Sequence, residues 1–194
     1  MIVTKKQKNQ LDKFEELLLS WNKTHNIISK SQTSNIKGHI EDSLSIAHLL
    51  GRNIMDLGSG GGFPGIPIAI TCPEKKIFLV ERKQSKAAFL LNATTQLGLE
   101  NTQVINQDSK KLGPDSLPRP LEIVTRAFGS PLKTIEATKG LLSAPKNYLK
   151  LMKTHPPEGL EDIPENYNVE KIEEIDLKGK DKKHILVTIT NKKT

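Results

Sequence analysis

Asp56-Leu57-Gly58-Ser59-Gly60-Gly61-Gly62-Phe63-Pro64-Gly65 is the stretch that decides how this chain folds. The residues before it, 53–57, form a short apolar run of strand length, and residues 65–71 after it suit a short helix. Pro67 is acceptable there because a first helical turn does not need its missing N–H. Strand, glycine loop and helix in that order place the loop at the carboxyl end of the strand, where open α/β sheets hold ligands. Glycine permits positive φ and lets backbone amides approach a ligand with no Cβ in the way. So dense a run of glycine is entropically costly for a mere connector, and the loop reads as a ligand cradle.

Working outward, the same rhythm continues. Strands are expected at 77–81, 102–106, 121–125 and 148–152. A helix at 85–97, capped by Ser85 and ended by Gly98, carries Ala87, Leu90, Leu91, Thr94 and Leu97 along one face. Ser130-Pro131 opens another helix, reaching Leu142. Two late strands, 169–176 and 184–190, are joined through Gly179-Lys180-Asp181 with no helix between them, which predicts an antiparallel hairpin. The expected fold class is therefore α/β, a doubly wound, largely parallel sheet with a terminal antiparallel hairpin. The first fifty residues differ. Leu11, Phe14, Leu17, Leu18 and Trp21 fall at helical spacing and predict an amphipathic helix of about three turns. A second helix is expected after Thr33-Ser34, turning Ile36, Ile40, Leu44 and Ala47 inward and stopping at Gly51. The chain is thus expected to be one domain, with residues 1–50 a helical extension and 51–194 the α/β core.

A hydrophobic fraction of 36% and a charged fraction of 26% over 194 residues fit a globular protein with one sizeable core. The longest apolar run, residues 66–72, falls far short of the roughly 20 residues a membrane span needs. The segment Met1-Ile2-Val3-Thr4-Lys5-Lys6-Gln7-Lys8 is too polar for a secretory signal. Cys72 stands alone, which leaves no intramolecular disulfide and argues against a zinc cage. These features lead us to expect a cytoplasmic monomer with no metal and no membrane partner. The net charge of +7 suits a polyanionic partner, yet it is nearly all dispersed lysine, which serves solubility equally well.

Two nucleotide-like ligands compete for the loop. Read from Gly60, the residues Gly60-Gly61-Gly62-Phe63-Pro64-Gly65 satisfy the dinucleotide pattern G-x-G-x-x-G, with Glu81 as the acid that follows. That register puts Pro64 where helix amides would have to receive a pyrophosphate, and it starts too late after the strand. Read from the strand end, Asp56-x-Gly58-x-Gly60 followed by Glu81 is the S-adenosylmethionine arrangement. Asp56 would hold loop amides or face the sulfonium, and Glu81 would accept both ribose hydroxyls through its two oxygens. Asp108 and Ser109, after the third strand, are placed to meet adenine, although such a pair is also an ordinary helix cap.

The residues from Asp56 to Ile70 closely resemble the first motif of the bacterial 16S ribosomal RNA guanine-N7 methyltransferases, whose distinguishing mark is the Phe63-Pro64-Gly65 continuation. Trp21-Asn22-Lys23 with Asn26-Ile27, His39-Ile40-Glu41-Asp42-Ser43-Leu44 and Thr125-Arg126-Ala127 resemble further stretches of that family. The resemblance implies a class I methyltransferase fold, S-adenosylmethionine as cofactor and the RNA of the small ribosomal subunit as partner. It implies cofactor contacts at Gly58, Phe63, Ser109, Lys110 and Arg126, and it leaves Arg126 and Lys153 as the candidate catalytic residues. Asp108-Ser109-Lys110 stands where the family has Arg-Ala-Glu, and Lys153-Thr154 where it has Lys-Gly.

The chemistry agrees with what the chain lacks. Adenine-N6 methylation would show an Asn/Asp-Pro-Pro-aromatic motif after the fourth strand, and cytosine-C5 methylation a cysteine nucleophile there. Guanine N7 carries a free lone pair and no proton, so positioning suffices and no general base is needed. Arg126 would orient the cofactor, bind a phosphate or grip guanine O6. His39 and Asp42, one helical turn apart, are expected at a lid between extension and core. Lys83, Lys86, Lys110 and Lys153 could meet RNA phosphates. Phe63, Phe128 and Trp21 are candidate stacking partners for a base, with core packing as the default. His25, His48, His155 and His184 show no ligand spacing. The competing readings are a methyltransferase acting on another RNA, a protein or a small molecule, a non-catalytic RNA-binding module, and, more distantly, a NAD-dependent enzyme.

Overall fold

The computed structural model describes residues 3–126, 128–175 and 184–193. Three helices come first: α1 (Lys5–His25), α2 (Lys30–Thr33) and α3 (Ile36–Ile46). The core follows as β1 (Asn53–Leu57), α4 (Gly65–Thr71), β2 (Lys76–Val80), α5 (Gln84–Leu97), β3 (Thr102–Ile105), β4 (Glu122–Arg126), α6 (Pro131–Leu142), β5 (Tyr148–Thr154), β6 (Tyr167–Ile175) and β7 (His184–Asn191). The strands form one sheet in the order β3-β2-β1-β4-β5-β7-β6. β1 to β5 pair in parallel, while β7 runs antiparallel to both β5 and β6. The strand order reverses between β1 and β4, which opens a crevice at their carboxyl ends. No helix among the described residues is long and apolar enough to cross a membrane.

Strand alternation divides the core in two. Ile54, Leu79, Val124, Met152 and Leu186 belong to one cluster with the buried faces of α1, α3, α4 and α5. Met55, Phe78, Ile123, Leu151 and Val187 belong to the other, with Ile135, Leu141 and Leu142 of α6. The helical extension lies on the first face. Its α1 amides finish the helices they cross: Gln7 Nε2 donates to the carbonyls of Ile70 and Thr71 at 3.2 and 3.1 Å, and Gln10 Nε2 donates to Leu97 at 2.8 Å. Those carbonyls end α4 and α5 and have no partner within their own helix. Where the extension meets the core, Lys150 Nζ donates to the Leu49 carbonyl at 2.7 Å and pairs with Glu122 at 3.4 Å. Glu122 in turn accepts the Gly51 N–H at 2.6 Å, and Lys75 Nζ donates to the carbonyls of Leu50 and Gly51.

Several expectations need correcting. The first helix is 21 residues long rather than about three turns, because Thr4 and Gln7 form a capping box two turns before the apolar stripe begins. The second long helix does begin after Thr33-Ser34, at Ile36 with Asn35 in the cap position, but Thr33 itself ends a short additional helix, α2, whose cap is Ser29. Gly51 is not the stop of the long helix, since α3 gives way at Ala47 to a 3-10 turn ending at Leu49. Ser85 does not cap α5; Lys83 occupies the cap position, and its N–H is held by Glu81 Oε1 at 2.8 Å. Gly98 ends that helix as expected, with φ 64°. Leu91 is 60% exposed, because the inward face of α5 is filled by Phe89, Leu90 and Ala93. Asp176 and the turn Gly179-Lys180-Asp181 lie outside the described residues, as does Ala127.

Candidate cofactor and acceptor site

The glycine loop leaves β1 in a tight coil, with φ of 68° at Gly58, 51° at Gly60 and 89° at Gly62, all in the left-handed region. Gly58 is also approached from outside: a Cβ there would lie 2.8 Å from the Phe128 ring. At Gly65 a Cβ would lie 2.3 Å from Leu79 Cδ2 and 2.8 Å from Asp56 Oδ2, so only glycine allows α4 to start against β2.

Asp56 is 1% exposed and does not line the cleft. Its Oδ2 accepts the Gly65 N–H at 3.0 Å, holding the first turn of α4, while Oδ1 is buried without a hydrogen-bond partner. Burial pushes its carboxyl up to about 7, against the opposing pull of the Gly65 N–H. Of the two roles expected of Asp56, the geometry supports holding loop amides. Glu81, directly after β2, joins loop and cleft: Oε2 accepts the Gly60 N–H at 3.1 Å and Oε1 the Lys83 N–H. A carboxylate oxygen has two lone pairs, so both oxygens keep acceptor capacity for hydroxyl groups.

A cleft of about 440 Å³ opens here, over the β1–β4 crevice. Gly58, Glu81, Asp108, Ser109, Lys110 and Arg126 line it. Asp108 caps a 3-10 turn, its Oδ1 accepting the Lys110 N–H at 3.0 Å. Gly60 stands behind the rim, and Phe63 is 7% exposed beneath the loop rather than in the cleft. Lys83 and Lys86 also reach the cleft. The sequence reading missed Lys133 and Glu136, which enter from the start of α6. Ser130-Pro131 was the available signal, since it fixes which turn of that helix meets the strand ends. A larger cavity, about 1010 Å³, lies at the opposite end of the sheet beside Lys76 and Thr102, away from the carboxyl ends where such sheets bind ligands.

Arg126, the last residue of β4, ties the extension to the core. Its Nη1 donates to His39 Nδ1 at 2.8 Å and lies 3.6 Å from Asp42 Oδ2. Arginine has only donors, so Nδ1 is the unprotonated nitrogen of His39. The guanidinium sits 5.3 Å from the centre of the Phe63 ring, which Phe14 and His39 meet edge-on. Burial pulls the Arg126 pKa below its ordinary value, and Asp42 and Asp56 oppose that pull. Lys153 does not line the cleft; it faces an adjoining cavity that Arg126 also lines.

The family model described as rRNA small subunit methyltransferase G matches residues 7–187. The chain belongs to the rRNA small subunit methyltransferase G family. The member from Nitrosomonas europaea is 37% identical over 185 residues, covering 92% of this chain and 86% of that protein. The fold agrees with this family assignment. A SAM-dependent methyltransferase from Aquifex aeolicus superposes with a TM-score of 0.54 at 19% identity, covering 88% of this chain and 97% of that one. MtNAS in complex with S-adenosylmethionine gives 0.64 at 15% identity, covering 95% and 76%. The chain is a methyltransferase with the S-adenosylmethionine-dependent fold, as its glycine register predicts. The residues present suit that cofactor: an open glycine cradle at Gly58, a carboxylate with acceptor capacity at Glu81, and backbone amides around Asp108.

Proposed function

We propose that the chain methylates guanine N7 in 16S ribosomal RNA of the small ribosomal subunit, as a single methyltransferase domain acting as a cytoplasmic monomer without a metal. The observation that carries this reading is Arg126, held at the rim of the cofactor cleft by His39 and Asp42, in a family whose members are named for this RNA.

S-adenosylmethionine supplies, when bound, an electrophilic methyl group on a sulfonium sulfur. Gly58 would receive it against bare backbone, with the Gly60 N–H fixing Glu81 from behind the rim; Glu81 would accept the ribose hydroxyls, and the Asp108–Lys110 turn would border the adenine. Arg126 holds the acceptor side. The N7 lone pair would receive the methyl that the bound cofactor supplies, with the C–S electron pair returning to sulfur. No proton leaves the base, so the residues of the chain orient the reactants and keep water out. Positive charge would appear on the purine, and Asp42, beside Arg126, lines the adjoining cavity as a carboxylate that could favour it.

The test is transfer of labelled methyl from S-adenosylmethionine to undermethylated 30S subunits and to naked 16S RNA, with nucleosides analysed after digestion. Label in 7-methylguanosine is the expected result. Cofactor binding without label in either substrate overturns the reading.

A further inference from the structure

The cofactor cleft has a neighbour. A second cavity, about 260 Å³, lies at the carboxyl ends of β4 and β5. Arg126 and Phe128 are the only described residues that line both, so together they form the wall between the two spaces. Five elements converge on the second cavity. β4 and β5 bring Arg126 and Lys153, α3 brings Asp42 and α6 brings Thr134. The fifth is β7. Because it runs antiparallel to β5, its first residue, His184, pairs with Thr154 and reaches the same end of the sheet as the parallel strand ends.

Phe128 is the unusual member of the wall. Its ring packs on Gly58, yet the residue is 39% exposed, in a chain whose other phenylalanines are buried or nearly so. Exposed aromatic surface between a cofactor cleft and a small side cavity is what a planar base would cover. The charges lining the cavity are unequal: Arg126 and Lys153 carry donors, and Asp42 is the only carboxylate among the described lining residues. Guanine presents two adjacent acceptors, N7 and O6, on its major-groove edge, whereas adenine presents an amino donor where O6 stands.

We propose, resting on the methyl-transfer reading above, that this second cavity receives the acceptor guanine after it leaves its stack, with Phe128 as the stacking surface. N7 then faces the cofactor cleft past the Phe128 edge, and O6 beside it meets the cationic side of the cavity. Enzymes that act on a base within structured RNA must take it out of its stack, and the pocket that holds it supplies an aromatic face. Phe128 is thus a substrate-positioning residue rather than part of the core.

The experiment compares wild type with Phe128→Leu and Phe128→Tyr for S-adenosylmethionine affinity and for kcat/KM on undermethylated 30S subunits. The Leu variant is expected to keep cofactor affinity within about twofold and to lose about five- to a hundredfold in kcat/KM for the RNA. The Tyr variant, which keeps the ring, is expected to recover to within about threefold of wild type. An unchanged kcat/KM in the Leu variant overturns the proposal. So does a loss matched by an equal loss of cofactor affinity, which would make Phe128 a cofactor wall only. A second readout needs no variant: ultraviolet crosslinking of wild type to the 30S subunit should label the peptide containing Phe128, and crosslinks confined to other peptides overturn the subsite. Wild type inactive on every RNA would sink the proposed function itself, a result distinct from these.

Discussion

Asp56 shows how much one residue in this loop controls. Its carboxyl is buried, one oxygen holds the Gly65 N–H and the other has no partner, so the protonated form persists up to about pH 7. In the unfolded chain the same group titrates near 3.8. Between those values the native state binds a proton that the unfolded state has released, so stability falls as pH rises through the window and levels off above about 7. The loss has an upper bound of about 4 kcal/mol. Asp56→Asn keeps an acceptor for Gly65 but cannot ionise. Its melting temperature is therefore expected to fall less than that of wild type from pH 4 to pH 7, although its own amide leaves a buried donor unpaired. Parallel slopes in a thermal scan across that range would reject this account. The sequence made Asp56 visible through its place before Gly58, and strand alternation already put it on the face of Ile54. Which way the carboxyl turns depends on Gly65, nine positions later, and short-range pattern does not carry that. Glu81 was more legible because its place beside the loop follows from spacing alone.

Elements tell a similar story at longer range. Strand and helix periods were most readable at β1, β2 and β4, where the strands are short, largely buried and bounded by turn residues. Strand direction was readable too, since no helix separates the last two strands. The consequence of that direction was hidden. Only the antiparallel pairing of β7 with β5 brings His184 to the ligand end of the sheet, and a histidine with no ligand spacing gives no sign of this. Helix ends were the least legible feature, as Ser85 illustrates. It is a good capping residue, but Lys83 takes the cap position of α5, held by Glu81 at the end of the preceding strand. The start of α1 is where a cap and a tertiary contact coincide. Gln7 accepts the Thr4 N–H at 2.9 Å and donates to the ends of α4. Gln7→Ala is expected to cost about 1–2 kcal/mol in urea denaturation, whereas Lys8→Ala, exposed one residue on, should change stability by less than about 0.5 kcal/mol. Equal effects from the two would show that the capping box contributes little.

At the scale of the whole molecule, the neighbouring strands β4 and β5 fasten α3 and the segment after it to the α/β core at two places. At one end, Glu122 of β4 and Lys150 of β5 grip the chain at Gly51 and Leu49; at the other, Arg126 of β4 holds His39 and Asp42. Sequence patterns could not show this, because neither clasp joins residues close in the chain. Fastened so, α3 has no route to open that spares the sheet. Its amide protons should therefore exchange with solvent only through global unfolding, at the same slow rate as those of β4, despite lying in what the sequence marks as an appendage. Hydrogen exchange followed by mass spectrometry checks this, and α3 peptides that exchange ahead of β4 would show the two parts coming undone separately. A single cooperative unit also has a practical meaning for the reaction. The wall at Arg126 cannot shift unless the helices move with it, so the entry and exit of RNA must be accommodated elsewhere on the rim.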